Sequence, residues 1–468
     1  MNKSQYRLLI LFIFINIFKK VSLYILIPFK TYKPKRSIKY NNIAEDFFET
    51  NLNNTIYIEI DAGIPTQKIP ALILSEEFGF FIMDHKCLIP SSFETIEKSN
   101  TFWKSEHTGN KGKNIIFGND IFEFPTESST KKQAKLNFIY TQNLGNDNNN
   151  NNINKFTCAG VGISGAEYYG KKYEKNLVNQ LLDENIINNN LFSIIYSEED
   201  EGIFLIGSEP HKYYKNSQKY SKKNLIYINN DKNNNFIFWS LLPESIYFSL
   251  NKKIINISNN YLNNSICTLE YNLGLIYGTE DYLNLIKENY FNQLFLEKKC
   301  YEKIIYSFYT IIYCDKREYI ENFPNLNFHF PEIIFTLNEK DLFLEKNGKF
   351  FFGIIFDRKN KNQWKLGKPF LKKYSFIFNY DTKKIGIYNE QLNKENKLKK
   401  FSYIIINILV TMMVSFFCYI GFYYMKKVYN RAIDEKEDEY EYKYKSREER
   451  AQVNSYIELM VESKVLDE

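Results

Sequence analysis

Chemistry in a protein chain needs suitable residue types at workable spacings, and most of the familiar combinations are missing here. The four histidines, His85, His107, His211 and His329, are scattered, and no two of the six cysteines stand two or four residues apart. A zinc site would need closer ligand spacing, so each histidine reads as an ordinary surface or core residue. One stretch is more suggestive: IPALILSEEFGFFIM, residues 69–83. Its apolar run breaks at Leu74-Ser75-Glu76-Glu77 and resumes at Phe80, Phe81 and Ile82. A hydroxyl and two carboxylates in such a break would do acid–base chemistry only if another carboxylate met them from elsewhere in the chain.

The rest of the sequence must build what positions that break. Its 468 residues are 44% hydrophobic and 17% aromatic, enough to bury at least one large core. Tyr, Phe and Ile are abundant, and they suit half-buried pleated surfaces, so strands should dominate. Strand signals recur at 55–60, 68–74, 78–83, 203–206, 236–239 and 350–355, with Gly, Pro and Asn clustered between them, which predicts a mainly β architecture. Two short amphipathic helices are expected, at 176–185 (Leu177, Leu181, Leu182) and at 280–288 (Tyr282, Leu283, Ile286). The net charge of +6 is spread over 61 basic and 55 acidic residues. No basic stripe interleaves with aromatics, which argues against nucleic acid as a partner.

Both ends carry membrane signals. Lys3 and Arg7 precede the apolar run 8–18, as in a signal peptide or signal anchor over 1–30, followed by a short leader, 31–54. Residues 401–425 hold no charge and are bracketed by Lys399-Lys400 and Lys426-Lys427, a length and composition that suit a transmembrane helix. The expected topology is single-pass: a lumenal or extracellular ectodomain in the secretory pathway or at the cell surface, and a cytosolic tail over 426–468. In the tail, Val453, Ile457, Val461 and Val465 recur every four residues, the mixed-charge run 435–450 reads as a solvated helix or linker, and Tyr456-Ile457-Glu458-Leu459 resembles a Tyr-x-x-apolar sorting signal for a cytosolic adaptor. Sequons stand at Asn53, Asn256 and Asn263. An oxidising compartment permits Cys300 and Cys314 to close one small loop. Cys418 lies in the span and stays free. Cys87, Cys158 and Cys267 cannot all pair within the chain; Cys87 with Cys158 is the expected pair, and the sequence does not decide it.

A series of segments then falls in a telling order. Tyr57-Ile58-Glu59-Ile60 and Gly63-Ile64-Pro65-Thr66-Gln67 come first, then CAGVGIS (158–164), LVNQLLDENIINNNLFSII (177–195) and GIFLIGSEPHKYY (202–214). Trp239, LGLIYG (273–278), the Cys300 and Cys314 pair, FPNLNFHF (323–330), WKLGKPFLKKY (364–374) and FNYDTKKIGIY (378–388) follow. In that order they resemble the pepsin-like aspartic proteases. The resemblance implies a bilobal, mainly β fold with lobes over 55–225 and 226–395, no cofactor, and a peptide-binding cleft between the lobes.

It also implies where the family's two Asp-Thr-Gly triplets belong. Aligned from Pro65-Thr66-Gln67, the first falls on Leu74-Ser75-Glu76; counted back from Leu275-Ile276-Tyr277-Gly278, the second falls on Glu270-Tyr271-Asn272. Neither is intact. Aspartic proteolysis needs two carboxylates about 3 Å apart that share one proton, and Leu74 offers none. Glu270 keeps a carboxylate on a longer arm, Ser75 can replace one Thr hydroxyl, and Tyr271 is too large for the other. The family's flap Tyr is missing too: no Tyr occurs over 58–139, and the best flap candidate, SEHTGNKG at 105–112, offers Glu106. The expected protein is therefore a membrane-anchored, degenerate member that holds a peptide or protein ligand without hydrolysing it. Two alternatives stand beside it: an active endopeptidase whose rearranged dyad pairs Glu270 with Glu76 or Glu77, and a structural or adhesive ectodomain.

Overall fold

The computed structural model describes residues 23–32, 55–77, 79–84, 93, 95–108, 114–126, 131–142, 158–164, 175–197, 200–230, 238–250, 253–254, 265–305, 307–346, 348–359 and 362–465. Alternation of apolar and polar residues builds the first strands. β1 (Ile25–Tyr32) buries Ile25, Ile27 and Phe29; β2 (Thr55–Ala62) buries Ile56, Ile58 and Ile60; β3 (Gln67–Leu74) buries Ile69, Ala71 and Ile73 on the same face. The β2–β3 turn runs through Gly63, whose φ of +78° suits glycine and whose position leaves no room for a side chain beside Ser99. Then come β4 (Phe80–Asp84), β5 (Trp103–Thr108), β6 (Asn114–Pro125), β7 (Lys131–Gln142) and β8 (Ala159–Gly162). Helix α1 (Leu177–Asp183) is capped by the Asn176 side chain, which accepts the Asn179 N–H. β9 (Leu191–Tyr196) and β10 (Glu201–Ile206) close this half.

The later half opens with β11 (Leu225–Asn229), β12 (Ser240–Leu241), β13 (Ser245–Leu250), β14 (Lys253–Ile254), β15 (Ile266–Leu269) and β16 (Ile276–Thr279). Helix α2 (Glu280–Ile286) runs on into a π-helical turn, Lys287–Phe291. β17 (Cys300–Ile305) and β18 (Tyr309–Cys314) form a hairpin tied by the Cys300–Cys314 disulfide. β19 (Asn325–His329), β20 (Ile334–Leu337), β21 (Phe343–Lys346), β22 (Lys349–Phe352), β23 (Ile354–Asp357), β24 (Gln363–Leu366), β25 (Phe376–Asn379) and β26 (Lys384–Tyr388) complete the β structure.

Among the described residues these strands form three sheets. The first has the order β11-β26-β25-β9-β10-β1-β2-β3-β8-β4-β7-β6-β5, so the two halves share it through β25 on β9. The second runs β12-β15-β24-β16-β23-β18-β22-β21, with β17 on β18, and the third runs β14-β13-β19-β20. One weave occurs twice. β3 lies parallel to β8, β8 antiparallel to β4, and β4 parallel to β7; likewise β15 lies parallel to β24, β24 antiparallel to β16, and β16 parallel to β23. The segment leaving β3 thus corresponds to the segment leaving β15.

Several expectations change. Residues 25–30, assigned above to the signal segment, lie in β1, which is hydrogen-bonded on both sides, to β10 and β2. A cleavable segment ending at residue 30 would remove most of that strand. Residues 1–22 and 33–54, Cys87, His85 and the three sequons lie outside the described residues. The strand expected over 236–239 is not found: Phe238 and Trp239 precede β12 without strand pairing, and 236–237 are not described. The run expected at 350–355 is two strands, broken at Gly353, whose N–H is spent on the Leu342 carbonyl. Cys158 is disulfide-bonded, while Cys267 (buried) and Cys418 (exposed) are free.

Gln391–Glu468 is a separate unit. Its described residues belong to helix α3 (Glu390–Val465), in which Ser402–Met460 contains a stretch of mean hydropathy 2.2, long and apolar enough to cross a membrane. The mixed-charge run is helical, with i,i+4 pairs Lys443–Glu439 and Lys445–Glu441. Tyr456–Leu459 also lies in this helix, with Tyr456 and Leu459 exposed.

Fully burying each of Ile25, Ile27 and Phe29 stabilises by roughly 1.5–3 kcal/mol, a sum comparable with the whole stability of a domain. Deleting 23–32 from the full-length chain is expected to abolish cooperative melting, whereas deleting 1–22 leaves it intact; calorimetry of the two proteins in detergent checks this.

Candidate functional site

The repeated weave brings its two exit segments together. Leu74 ends β3; its carbonyl accepts the Ile163 N–H at 3.0 Å, and its side chain points to the face opposite Ile73. There it is 3% exposed and forms a small apolar cluster with Leu72, against which Tyr32, Tyr57 and Phe81 pack. The Phe81 ring lies so close to the backbone of Gly160 that a side chain there would collide with it. Ser75, next in line, is buried, and its hydroxyl accepts the Tyr271 N–H at 2.8 Å. This bond joins the segment after β3 to the segment after β15.

Tyr271 turns its ring into the core, edge-on to Phe378 at 5.9 Å. Its hydroxyl, and Oδ1 of Asn272, are buried without a hydrogen-bond partner among the described residues. Glu270 directly follows β15 and donates its backbone N–H to the Leu366 carbonyl at 3.0 Å. Its side chain is 1% exposed, and Oε2 has no partner among the described residues. Burial first, then the charge of Glu76, pushes the Glu270 carboxyl up to about 7, against the opposing pull of Lys365 and the Thr268 hydroxyl. Lys365, from β24, donates to Glu76 Oε1 at 3.0 Å. Burial works to lower the pKa of Lys365, yet Glu76 and Glu270 together hold it above the usual ammonium value. Glu76 is therefore tied across the halves to an ammonium that also feels Glu270. Glu77 is exposed, and its carbonyl accepts the Ser164 N–H.

A family model described as "Eukaryotic aspartyl protease" matches residues 135–389, more than half of the chain. The chain belongs to that family. Among solved structures, Basic 7S globulin from soybean is similar: TM-score 0.52 with 10% sequence identity, covering 78% of this chain and 96% of that one. At such identity the likeness is one of fold, and it makes the architecture that of a pepsin-like aspartic protease. No curated protein matches the sequence.

The structure brings residues 74–76 and 270–272 together: Tyr271 is hydrogen-bonded to Ser75, and the charge of Glu76 acts on Glu270. Glu106 stands inside β5 opposite Ile116, and the turn of that hairpin, 109–113, lies outside the described residues. Sequence reasoning missed Lys365. It lies in the quoted segment WKLGKPFLKKY, and the available signal was a cation between Trp364 and Leu366, both buried, in a strand. Tyr32 beside Leu74 was missed as well, since β1 was read as part of a signal segment and leader, and Tyr57 was quoted without a link to Leu74.

The Glu270 carboxyl has a folded pKa of about 7 against an ordinary 4.5. Folding therefore favours its protonated form, and the associated stability is complete below about 4.5 and is lost as pH rises through about 7. The full difference is on the order of 3 kcal/mol. Glu270→Gln is expected to melt higher than the parent chain at pH 8, with the gap closing towards pH 5; melting curves of both proteins across that range test the sign.

Proposed function

We propose that this protein is a membrane-anchored, pepsin-like pseudoprotease that holds an extended peptide or protein segment in its interlobe cleft without cutting it. The observation that carries the reading is the setting of Leu74. The position aligned with the first catalytic carboxylate holds a hydrocarbon side chain packed among Leu72, Tyr32, Tyr57 and Phe81, and burial there would desolvate a carboxylate. The segment joined to this one by the Ser75–Tyr271 hydrogen bond carries one buried carboxyl, Glu270. On this reading, proton sharing between two acids, the basis of aspartic proteolysis, lacks the carboxylate that the segment after β3 would supply at Leu74.

A rearranged dyad would need Glu76 or Glu77 beside Glu270. Glu76 is engaged by Lys365, and the exposed Glu77 is anchored through its backbone. The cleft of such a fold, stripped of catalysis, remains a groove that pairs with an extended chain through backbone hydrogen bonds. Helix α3 supports a single-pass anchor at Ser402–Met460. The ectodomain then lies in the lumen or outside the cell, and Tyr456–Leu459 is available to a cytosolic adaptor.

The deciding experiment incubates the full-length chain, in detergent, with a library of acetylated, amidated dodecapeptides at several pH values, scoring retention and cleavage separately. Retention without cleavage is expected. Turnover that disappears in Glu270→Gln would overturn the reading. Leu74→Asp is expected to restore no hydrolysis and to destabilise the protein by several kcal/mol, as a buried charge in an apolar cluster does; activity gained by that variant would equally count against it.

A further inference from the structure

Two sets of side chains, one buried and one partly exposed, lie where the segments leaving β3 and β15 meet. The buried one is Glu270, 1% exposed, held at its backbone N–H by Leu366 and with Oε2 unpartnered among the described residues. The partly exposed one is the Glu76–Lys365 pair, whose side chains are 44% and 33% exposed. The groups facing Glu270 are few: Thr268 from its own strand, Lys365 from β24, and Glu76 from the segment after β3. Lys365 itself also faces Tyr309 of β18. The hydrogen bond of Lys365 goes to Glu76, and one buried oxygen of Glu270 has no partner among the described residues, although both members of that partly exposed pair act on its charge.

What that oxygen offers depends on its proton. A neutral carboxyl is a donor as well as an acceptor, whereas a carboxylate only accepts. An extended peptide presents carbonyl oxygens and N–H groups in alternation, and a carbonyl can meet Glu270 only through the proton. Resting on the reading of the cleft as a peptide site without hydrolysis, we propose that neutral Glu270 donates its O–H to a backbone carbonyl of the bound peptide while Lys365 and Glu76 part to admit it, so that the ligand is held in acid and released as the medium turns alkaline. Deprotonation sets a carboxylate against a carbonyl, two acceptors face to face, and draws Lys365 inward to the new charge. Burial and the neighbouring Glu76 place the transition in the empty cleft near neutrality. A ligand that binds only the neutral form moves the transition upward by linkage. Joined to a membrane anchor, such a site would load and unload cargo between compartments of different acidity.

The test uses the full-length chain in detergent and the dodecapeptide most tightly retained from the library, labelled for fluorescence anisotropy. Above the transition, Kd is expected to rise about tenfold per pH unit, the slope of one linked proton. Glu270→Gln, whose amide N–H donates at every pH, is expected to bind alike at pH 5 and pH 8. Lys365→Met, which removes the cation opposing proton uptake, is expected to move the midpoint to higher pH. Binding that is flat with pH in the parent chain, or a pH dependence kept by Glu270→Gln, overturns this inference and leaves the peptide-site reading standing. No retention at any pH overturns both. Should Glu270→Gln fail to melt cooperatively, the midpoint of Lys365→Met decides: an unmoved or lowered midpoint overturns the inference.

Discussion

The hydrogen bond from the Tyr271 N–H to the Ser75 hydroxyl is the joint on which the site depends. It is buried, it links residues 196 positions apart in sequence, and it closes the two repeats of the weave onto one another at their exit segments. Around it the chain repeats the same tactic. The Ile163 carbonyl accepts from Trp239 Nε1 at 2.7 Å and from the Tyr380 hydroxyl at 3.2 Å, while the Ile163 N–H bonds to Leu74. These bonds lie where water has little access, so losing any one partner would leave a buried group unsatisfied. The geometry of the floor is thereby fixed by the backbone and by small polar groups. Acidic side chains do not set it.

At the position that the family resemblance aligns with the first acid, leucine suits its surroundings in shape as well as polarity. Leu and Asp both branch at Cγ, so Leu74 fills nearly the volume an Asp would, and the end of β3 keeps its register with Gly162. Its chemistry is reversed, and the surroundings agree with the reversal: Leu72, Phe81 and two tyrosines pack where an acid would want donors. At the second position the chain keeps an acid but lengthens it, and the adjacent Tyr271 is too large to remain at the surface of the cleft. It turns inward to Phe378, its hydroxyl unsatisfied. One segment is thus apolar at this point, and the other keeps a carboxyl whose ionised form burial disfavours.

Much of this was legible in the sequence because strands announce themselves by alternation. β2, β3 and β4 stand within two residues of where periodicity put them, and the turn at Gly63 to Thr66 follows from its residues. Counting from the Pro65 turn and from Gly278 singled out Leu74 and Glu270, and the structure brings their two segments together at the Ser75–Tyr271 bond. Three things were hidden. β1 was read as the tail of an apolar leader, because eight residues with Ile25, Leu26, Ile27 and Phe29 look alike whether a membrane or a sheet receives them. The break at Gly353 is a tertiary event: its N–H goes to Leu342, and no local pattern records that bond. Lys365 gave only a weak signal, since a lysine in an otherwise apolar strand is common on a solvated face, and what makes it part of the site is Glu76, which is 289 residues away in sequence.

That long-range pair explains why the remaining acid behaves as it does. Had Glu76 been free to approach Glu270, two carboxylates would have competed for one proton; instead Lys365 stands with Glu76 and screens it. Remove the lysine, and the buried acid faces a nearby negative charge with nothing to offset it. Remove Glu76, and Lys365 is left with Glu270 alone, turning a titrating carboxyl into one half of a simple ion pair. The protonation state of the floor therefore belongs to three residues from three separate strand ends, and the fold's repeated weave is what makes those ends neighbours.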